Sequence, residues 1–490
     1  MTFDPFNTST LLAILPEFLL VVLAGLVMLL DLLWPESRKR ALGLTAATGF
    51  GVIAMAALAF SLPKGGNALI LGGMIRDDFV SFFFRMLFLL SGLIVSLISL
   101  DSPGVGRKGE YYAILVGAVL GMNFMAASAD LIMLYLSIET TSIALYLLAG
   151  YLRDDDKSAE SGLKYFLFGA FTSAIMLYGF SLLYGFTGKT NLYELAGALA
   201  AGAVPIPALL AVILLLLAGF GFKVSAVPFH FWAPDVYEGA PSPVTGFIST
   251  ASKAAGFAVL ARVTLAVFPS IETYWVSLMV AIAAVTMTLG NTIALSQKNI
   301  KRLLAYSSIA QAGYALIGLA APSPAGIAAT IYYLAAYIPT NLAAFGGIVL
   351  VYRATGSDEI ADYAGMSRRA PGLALVFLVA FLSLGGMPPL GGFFGKFFVF
   401  AAAIQQGVAL GNNWLIGLVF VGVINAIVGL YYYLTVLKVV YLYPPRAETK
   451  VDVPRAYRVA LWACVIGILL LGTWSTPWIG WATAAAGNLF

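Results

Sequence analysis

The sequence predicts an all-α polytopic membrane protein of about fourteen transmembrane helices. Three observations predict it. The 490 residues are 61% hydrophobic and only 10% charged, whereas a soluble domain is typically about a quarter charged. The mean hydropathy is +0.94, too apolar for a surface facing water. The apolar residues fall into about fourteen stretches, each near the roughly 20 residues that cross a bilayer.

In order, the stretches lie near 9–34, 40–61, 77–100, 111–128, 129–151, 162–187, 207–231, 243–268, 274–296, 301–320, 326–352, 370–404, 412–442 and 456–480. They leave no room for a soluble domain. The first holds Glu17 and Asp31 and follows no basic segment, so it reads as a retained helix and not as a signal peptide.

The basic residues give an orientation. One set of alternate loops carries Arg38, Lys39, Arg40, Arg107, Lys108, Arg153, Lys157, Lys298, Lys301, Arg302, Arg353, Arg368, Arg369, Lys438, Arg446, Lys450, Arg455 and Arg458. The opposite set carries only Lys64, Arg76 and Lys189. This bias places the basic loops in the cytoplasm and both termini outside, and its clean alternation supports an even helix count. Nothing in it forms a patch for nucleic acid, and no nucleic-acid partner is expected.

There is one cysteine, Cys464, and one histidine, His230. From within the chain these supply no disulfide, zinc site, cysteine-ligated iron–sulfur cluster or bis-histidine haem. Redox chemistry linked to the protein is expected in a partner.

Six basic residues fall inside the apolar stretches: Arg85, Lys164, Lys223, Lys253, Arg262 and Lys396. Arg85, Lys164 and Arg262 are close enough to helix ends to snorkel, and for the arginines an anchoring role is the plainer reading. Lys253 and Glu139 each lie about ten residues into a stretch, about 15 Å deep at 1.5 Å per residue, the midplane of a roughly 30 Å core. Lys223 reads as somewhat past the middle of the seventh stretch. A charge at mid-helix costs about 2.5–3.5 kcal/mol, so this set is not incidental. A static Glu–Lys pair would account for the packing of two helices. Proton transfer accounts for the choice of lysine, because arginine does not deprotonate in proteins. Lys164 follows Glu160 by one helical turn and is a further candidate, as a relay from the cytoplasmic side.

The seventh stretch breaks after Gly219-Phe-Gly-Phe-Lys223, at Pro228 to Pro234. The twelfth breaks at Gly385-Gly-Met-Pro388-Pro389, and Lys396 follows. Backbone groups freed by such breaks must face protein or water, and discontinuous helices mark ion sites in transporters. The breaks are five helices apart, so these helices run in opposite directions. The pattern predicts two inverted five-helix repeats, 111–268 (helices 4–8) and 274–442 (helices 9–13). A three-helix segment, 1–110, precedes them, and helix 14 follows within 456–490. Segment 231–243, with Asp235 and Glu238 and no Lys or Arg, reads equally as a vestibule for protons and as an ordered capping loop.

At these residues the sequence resembles the antiporter-like subunit N family of bacterial NADH:quinone oxidoreductase (respiratory complex I). The motifs are Ser137-Ile-Glu139, Pro228-Phe-His-Phe-Trp-Ala-Pro-Asp-Val-Tyr-Glu-Gly-Ala-Pro-Ser-Pro243, Ser252-Lys253-Ala-Ala, Lys301-Arg-Leu-Leu-Ala-Tyr-Ser-Ser308 and the Gly-Gly-Met-Pro-Pro-Leu run before Lys396. They are long and specific, and they extend from about helix 4 to helix 13. The resemblance implies redox-driven proton pumping, and the Ala- and Gly-rich composition with the retained first helices points to a bacterial inner membrane. It implies no cofactor in this chain, with FMN, iron–sulfur clusters and quinone in partner subunits. The implied partners are other antiporter-like and small membrane subunits, and lipids. By motif match Glu139 would pair with Lys223, Lys253 would be the central relay, and Lys396 would lead to the outer exit.

The sister subunits L and M, and subunits of multi-subunit cation/proton antiporters, share this outline. They tend to have histidine where this chain has the Ser252-Lys253 segment. Subunit L adds a long lateral helix, whereas this chain ends just past helix 14. Both points favour subunit N. Many relatives carry a histidine near position 311, where this chain has Gln311, which puts a relay through that point in question. An antiporter subunit is the competing assignment. A stand-alone transporter would need a substrate pocket at the midplane, where ionisable residues stand instead.

Overall fold

The computed structural model describes residues 8–63, 68–202, 204–446 and 450–489; Lys64 lies outside the described residues. Among the described residues, fourteen helices are long and apolar enough to cross a membrane. In chain order they are α1 (Leu15–Leu33), α2 (Arg40–Phe60), α3 (Phe79–Ser99), α4 (Gly109–Ala127), α5 (Leu131–Ala149), α6 (Asp156–Thr187), α7 (Ile206–Val224), α8 (Ser242–Val267), α9 (Pro269–Ala294), α10 (Ile300–Ala320), α11 (Pro324–Thr355), the second segment of α12 (Gly391–Leu410), α13 (Asn413–Leu442) and α14 (Arg455–Thr473). The first segment of α12 is a shorter helix, Pro371–Gly385. The expected all-α polytopic fold is therefore the one found.

Several details differ from the hydropathy reading. α7 ends at Val224 and not near 231, because Ser225 turns into the left-handed region (φ 59°) and Pro228 follows. The last stretch is two helices, α14 and Ser475–Ala486, parted at Trp474. Segment 231–243 is not an irregular loop but contains a helix, Trp232–Gly239.

α8, α10 and α11 are buried along almost their whole length. α6 and α13 instead expose Phe171, Tyr178, Phe420, Ile424 and Ile427. With a hydrocarbon solvent outside, apolar side chains cover the rim, and polar side chains collect where neighbouring helices satisfy them.

Two local devices recur five spans apart. α6 and α11 are both 32 residues long and end on a left-handed glycine, Gly188 or Gly356, whose N–H caps the carbonyl of Tyr184 or Tyr352 at 2.7 Å. The loop beyond each pairs with the start of another span. Leu131 N–H donates to Thr190 O, and Leu192 N–H to Ala129 O, both at 2.9 Å. Ile300 N–H donates to Asp358 O at 2.8 Å, and Ile360 N–H to Lys298 O at 2.9 Å. The second device is the break. Ser225 and Gly386 (φ 84°) both leave their helix in the left-handed conformation. The next residue in each case, Ala226 or Met387, bonds back to the carbonyl of Gly221 or Leu382, a Schellman-type end.

Candidate functional site

Lys223 is the penultimate residue of α7 and is 6% exposed. Its ammonium donates to Ser142 Oγ on α5 at 2.5 Å. Ser142 follows Glu139 by one turn on the same face. Glu139 is half-buried and accepts a hydrogen bond from Ser173 on α6. Among the described residues no ion pair joins Glu139 to Lys223, so the direct contact implied by the motif match is replaced by a serine. α8 comes close to this lysine because Gly256 has no side chain: a Cβ there would lie 3.1 Å from Lys223 Cβ. Lys253 is one turn before Gly256, yet no hydrogen bond links Lys223 to Lys253 among the described residues.

Lys253 is 2% exposed and follows a π-helical turn, Ile248–Ser252. Such turns interrupt the α ladder and often accompany functional residues. Its ammonium donates to Ser308 O at 2.7 Å and to Ser308 Oγ at 2.6 Å, both on α10. The same hydroxyl accepts from Tyr337 of α11 at 2.9 Å and lies 3.3 Å from the hydroxyl of Tyr237. Asn341 bridges Tyr337 to Ser249 in the π turn, at 3.0 and 2.7 Å.

Lys396 is 6% exposed, beyond the α12 break as expected. Its stem lies against Gly386, where a Cβ would come within 3.1 Å of Lys396 Cδ. The ammonium donates to Leu384 O at 2.8 Å and stands 4.8 Å above the Tyr314 ring. The sequence explains why that carbonyl is free. Its helical partner would be residue 388, which is a proline without an N–H. Gln311 uses the same carbonyl, donating to it at 3.1 Å, and donates to Tyr433 at 3.1 Å. Its side-chain oxygen accepts from Tyr333, and Tyr433 is hydrogen-bonded to Ser307. Gln311 is thus a fully bonded junction between Ser307 and Lys396.

Lys164 sits elsewhere, in the N-terminal third of α6 beside the helix Trp232–Gly239. It pairs with Glu160 and Asp235, both at 2.7 Å. Arg302 bridges Asp235 and Glu238 at 3.0 Å each, and Lys157 meets Glu238 at 3.3 Å. Burial pushes the Asp235 carboxyl up, but hydrogen bonds from Lys164 and Arg302 outweigh it and hold it below the usual carboxylate range. Glu238 is likewise raised by burial and lowered further by Arg302 and Lys157. Trp232 stacks on Tyr165 with ring centres 4.4 Å apart, behind this cluster. Lys301, grouped above with the loop residues, is buried and donates to Ala240 O at 2.8 Å.

The two arginines are not snorkelling anchors. Arg262 is 1% exposed and makes a bidentate pair with Asp78 at 2.8 and 3.0 Å, with further bonds to Ala126 O at 2.9 and 3.1 Å. Arg85 pairs with Glu17 at 2.9 Å, both buried. The sequence reading missed both carboxylates as partners. Asp78 carries one legible signal, the capping box that it forms with Ser81 at the start of α3.

The family model described as "NADH:quinone oxidoreductase/Mrp antiporter, TM" matches residues 128–425. The chain is 43% identical over 478 residues to the NADH-quinone oxidoreductase subunit N of Moorella thermoacetica, covering 97% of this chain and 98% of that relative. A chain of respiratory complex I from Thermus thermophilus with bound aureothin superposes with a TM-score of 0.79 at 32% identity, covering 95% of this chain and 98% of that one. A chain of the Mrp complex from Dietzia sp. superposes with a TM-score of 0.85 at 21% identity, covering 98% of both chains; at that identity the likeness is one of fold.

Proposed function

This chain belongs to the NADH:quinone oxidoreductase/Mrp antiporter transmembrane family, and from that membership we propose that Lys223, Lys253 and Lys396 carry protons across the membrane arm of a proton-pumping NADH:quinone oxidoreductase. Glu139 adjoins the first of them, and Lys164 serves the cytoplasmic end. The observation that carries this reading is a division between the buried cations. Both arginines face carboxylates. Lys223, Lys253 and Lys396 donate only to neutral oxygens, Ser142 Oγ, Ser308 O and Oγ, and Leu384 O, whereas the buried Lys301, nearer the cytoplasmic cluster, also has Asp358 at 3.9 Å. A cation without a fixed counter-ion loses its proton at far lower cost than one locked to a carboxylate. A hydroxyl partner serves both states, because it accepts from an ammonium and donates to an amine.

The recurring α6/α11 and α7/α12 devices support two inverted repeats, α4–α8 and α9–α13. In this reading the basic loops face the cytoplasm and both termini face the periplasm of a bacterial inner membrane. FMN, iron–sulfur clusters and quinone reside in partner subunits, with no redox centre in this chain. Antiporter-like and small membrane subunits, together with lipids, cover the exposed apolar helix faces. The test is proton uptake by inverted membrane vesicles driven by NADH. Lys223→Ala and Lys396→Ala are expected to lower both proton uptake and coupled quinone reduction in a fully assembled complex. Normal uptake in both variants refutes the assignment. Sodium-dependent transport without NADH oxidation would favour the antiporter reading.

A further inference from the structure

Among the described residues, no carboxylate or imidazole is hydrogen-bonded to the Ser308, Ser307, Tyr433, Gln311 and Leu384 groups that lie between the Lys253 and Lys396 ammoniums. Gln311 occupies the junction, and an amide neither gains nor loses a proton near neutral pH. Its nitrogen lies 3.1 Å from the Tyr433 hydroxyl and 3.1 Å from Leu384 O, which also holds Lys396 at 2.8 Å. Tyr433 is fully buried on α13, and its hydroxyl is bonded to Ser307. Ser307 is the chain neighbour of Ser308, which holds Lys253. Polar groups thus lie in two bonded sets, Lys253 with Ser308 and Ser307 with Tyr433 and Gln311, and Gln311 joins Tyr433 Oη to the carbonyl that holds Lys396.

We infer that Tyr433 is the hydroxyl through which a proton passes between Lys253 and Lys396, with Gln311 as the positioning residue that aims it. This rests on the lysine pathway proposed above and adds a residue to it. In the step, the Lys253 ammonium gives a proton to Ser308 Oγ, which passes its own on. A bridging water carries it to Ser307 Oγ. Tyr433 Oη takes that proton on one lone pair and releases its own to the Lys396 amine, which swings from Leu384 O to meet it. Each hydroxyl ends neutral. The net change is an ammonium and an amine exchanging roles.

The test uses the assembled complex in vesicles, with Lys396→Ala as the reference. Tyr433→Phe keeps the ring that stacks near Phe381 and removes only the oxygen. Proton uptake is expected to fall about tenfold, the rate equivalent of one hydrogen bond, with assembly intact on a native gel. Adding Gln311→His to Tyr433→Phe is expected to restore uptake. An imidazole ionises where the amide does not, so the restored activity acquires an inflection near pH 6.5. Wild-type uptake in Tyr433→Phe beside a defective Lys396→Ala overturns the inference and leaves the lysine pathway standing. Wild-type uptake in both removes the pathway as well. A loss that histidine does not restore, with the pH profile unchanged, makes the hydroxyl structural and also overturns the inference.

Discussion

Replacing Lys253 by arginine separates the two services that a buried cation can perform. A guanidinium can still donate to Ser308 O and Oγ, which hold the lysine at 2.7 and 2.6 Å, so the link between α8 and α10 survives. Proton release does not. With a pKa above about 12, fewer than about one arginine in 10⁵ is neutral at pH 7. A relay that must pass through the neutral form is therefore starved by that factor. Lys253→Met is the complementary change: it removes the charge and the proton site while keeping the volume. Ser308 Oγ then retains Tyr337 and Tyr237, so the cost is at the low end of the 1–3 kcal/mol range for a buried donor or acceptor that loses a partner. The assay is the NADH-driven pH gradient in inverted vesicles, with native-gel assembly as the control. Both variants should assemble, and neither should move protons through this chain. An arginine variant that pumps at the wild-type rate would show that Lys253 is a static cation and that the reasoning fails.

Two further outcomes follow from the ion pairs. Asp78→Ala strands Arg262 in the interior and should cost about 3–5 kcal/mol of stability. The double change Asp78→Ala with Arg262→Met should recover most of that in a thermal unfolding series, and equal losses in the two would argue against the pairing. The cytoplasmic cluster should be sensitive to acid. The Asp235 and Glu238 carboxyls are held below their ordinary values. Their contribution is therefore complete above those ordinary values, about 3.9 and 4.3, and is lost as pH falls below them. Hydrogen exchange of helix Trp232–Gly239 should rise below about pH 4 and stay flat from pH 6 to 8; a rise in the neutral range would contradict the assignment.

The spans and the lysines were legible because the bilayer makes them so: a cation among apolar residues stands out in any hydropathy reading. What each lysine touches was not. The Glu139–Lys223 contact came from motif likeness alone, and one turn of α5 sufficed to put Ser142 in its place. Arg262 and Asp78 are 184 residues apart, and no periodicity connects them, so Arg262 looked like an anchor. Leu384 O was legible in principle, since a proline four residues on must leave a carbonyl free. Gln311 looked like a defect in a relay. Its role emerged only with Tyr333 and Tyr433, which converge on it from two other helices.

The helix Trp232–Gly239 has one more consequence. Through Asp235 it is tied at once to Lys164 of α6 and Arg302 of α10, and through Glu238 to Lys157 and Arg302 again. It works as a crossbar between spans that hold different lysines. A displacement of α6 is therefore passed through two carboxylates to α10, the helix that presents Ser307, Ser308 and Gln311.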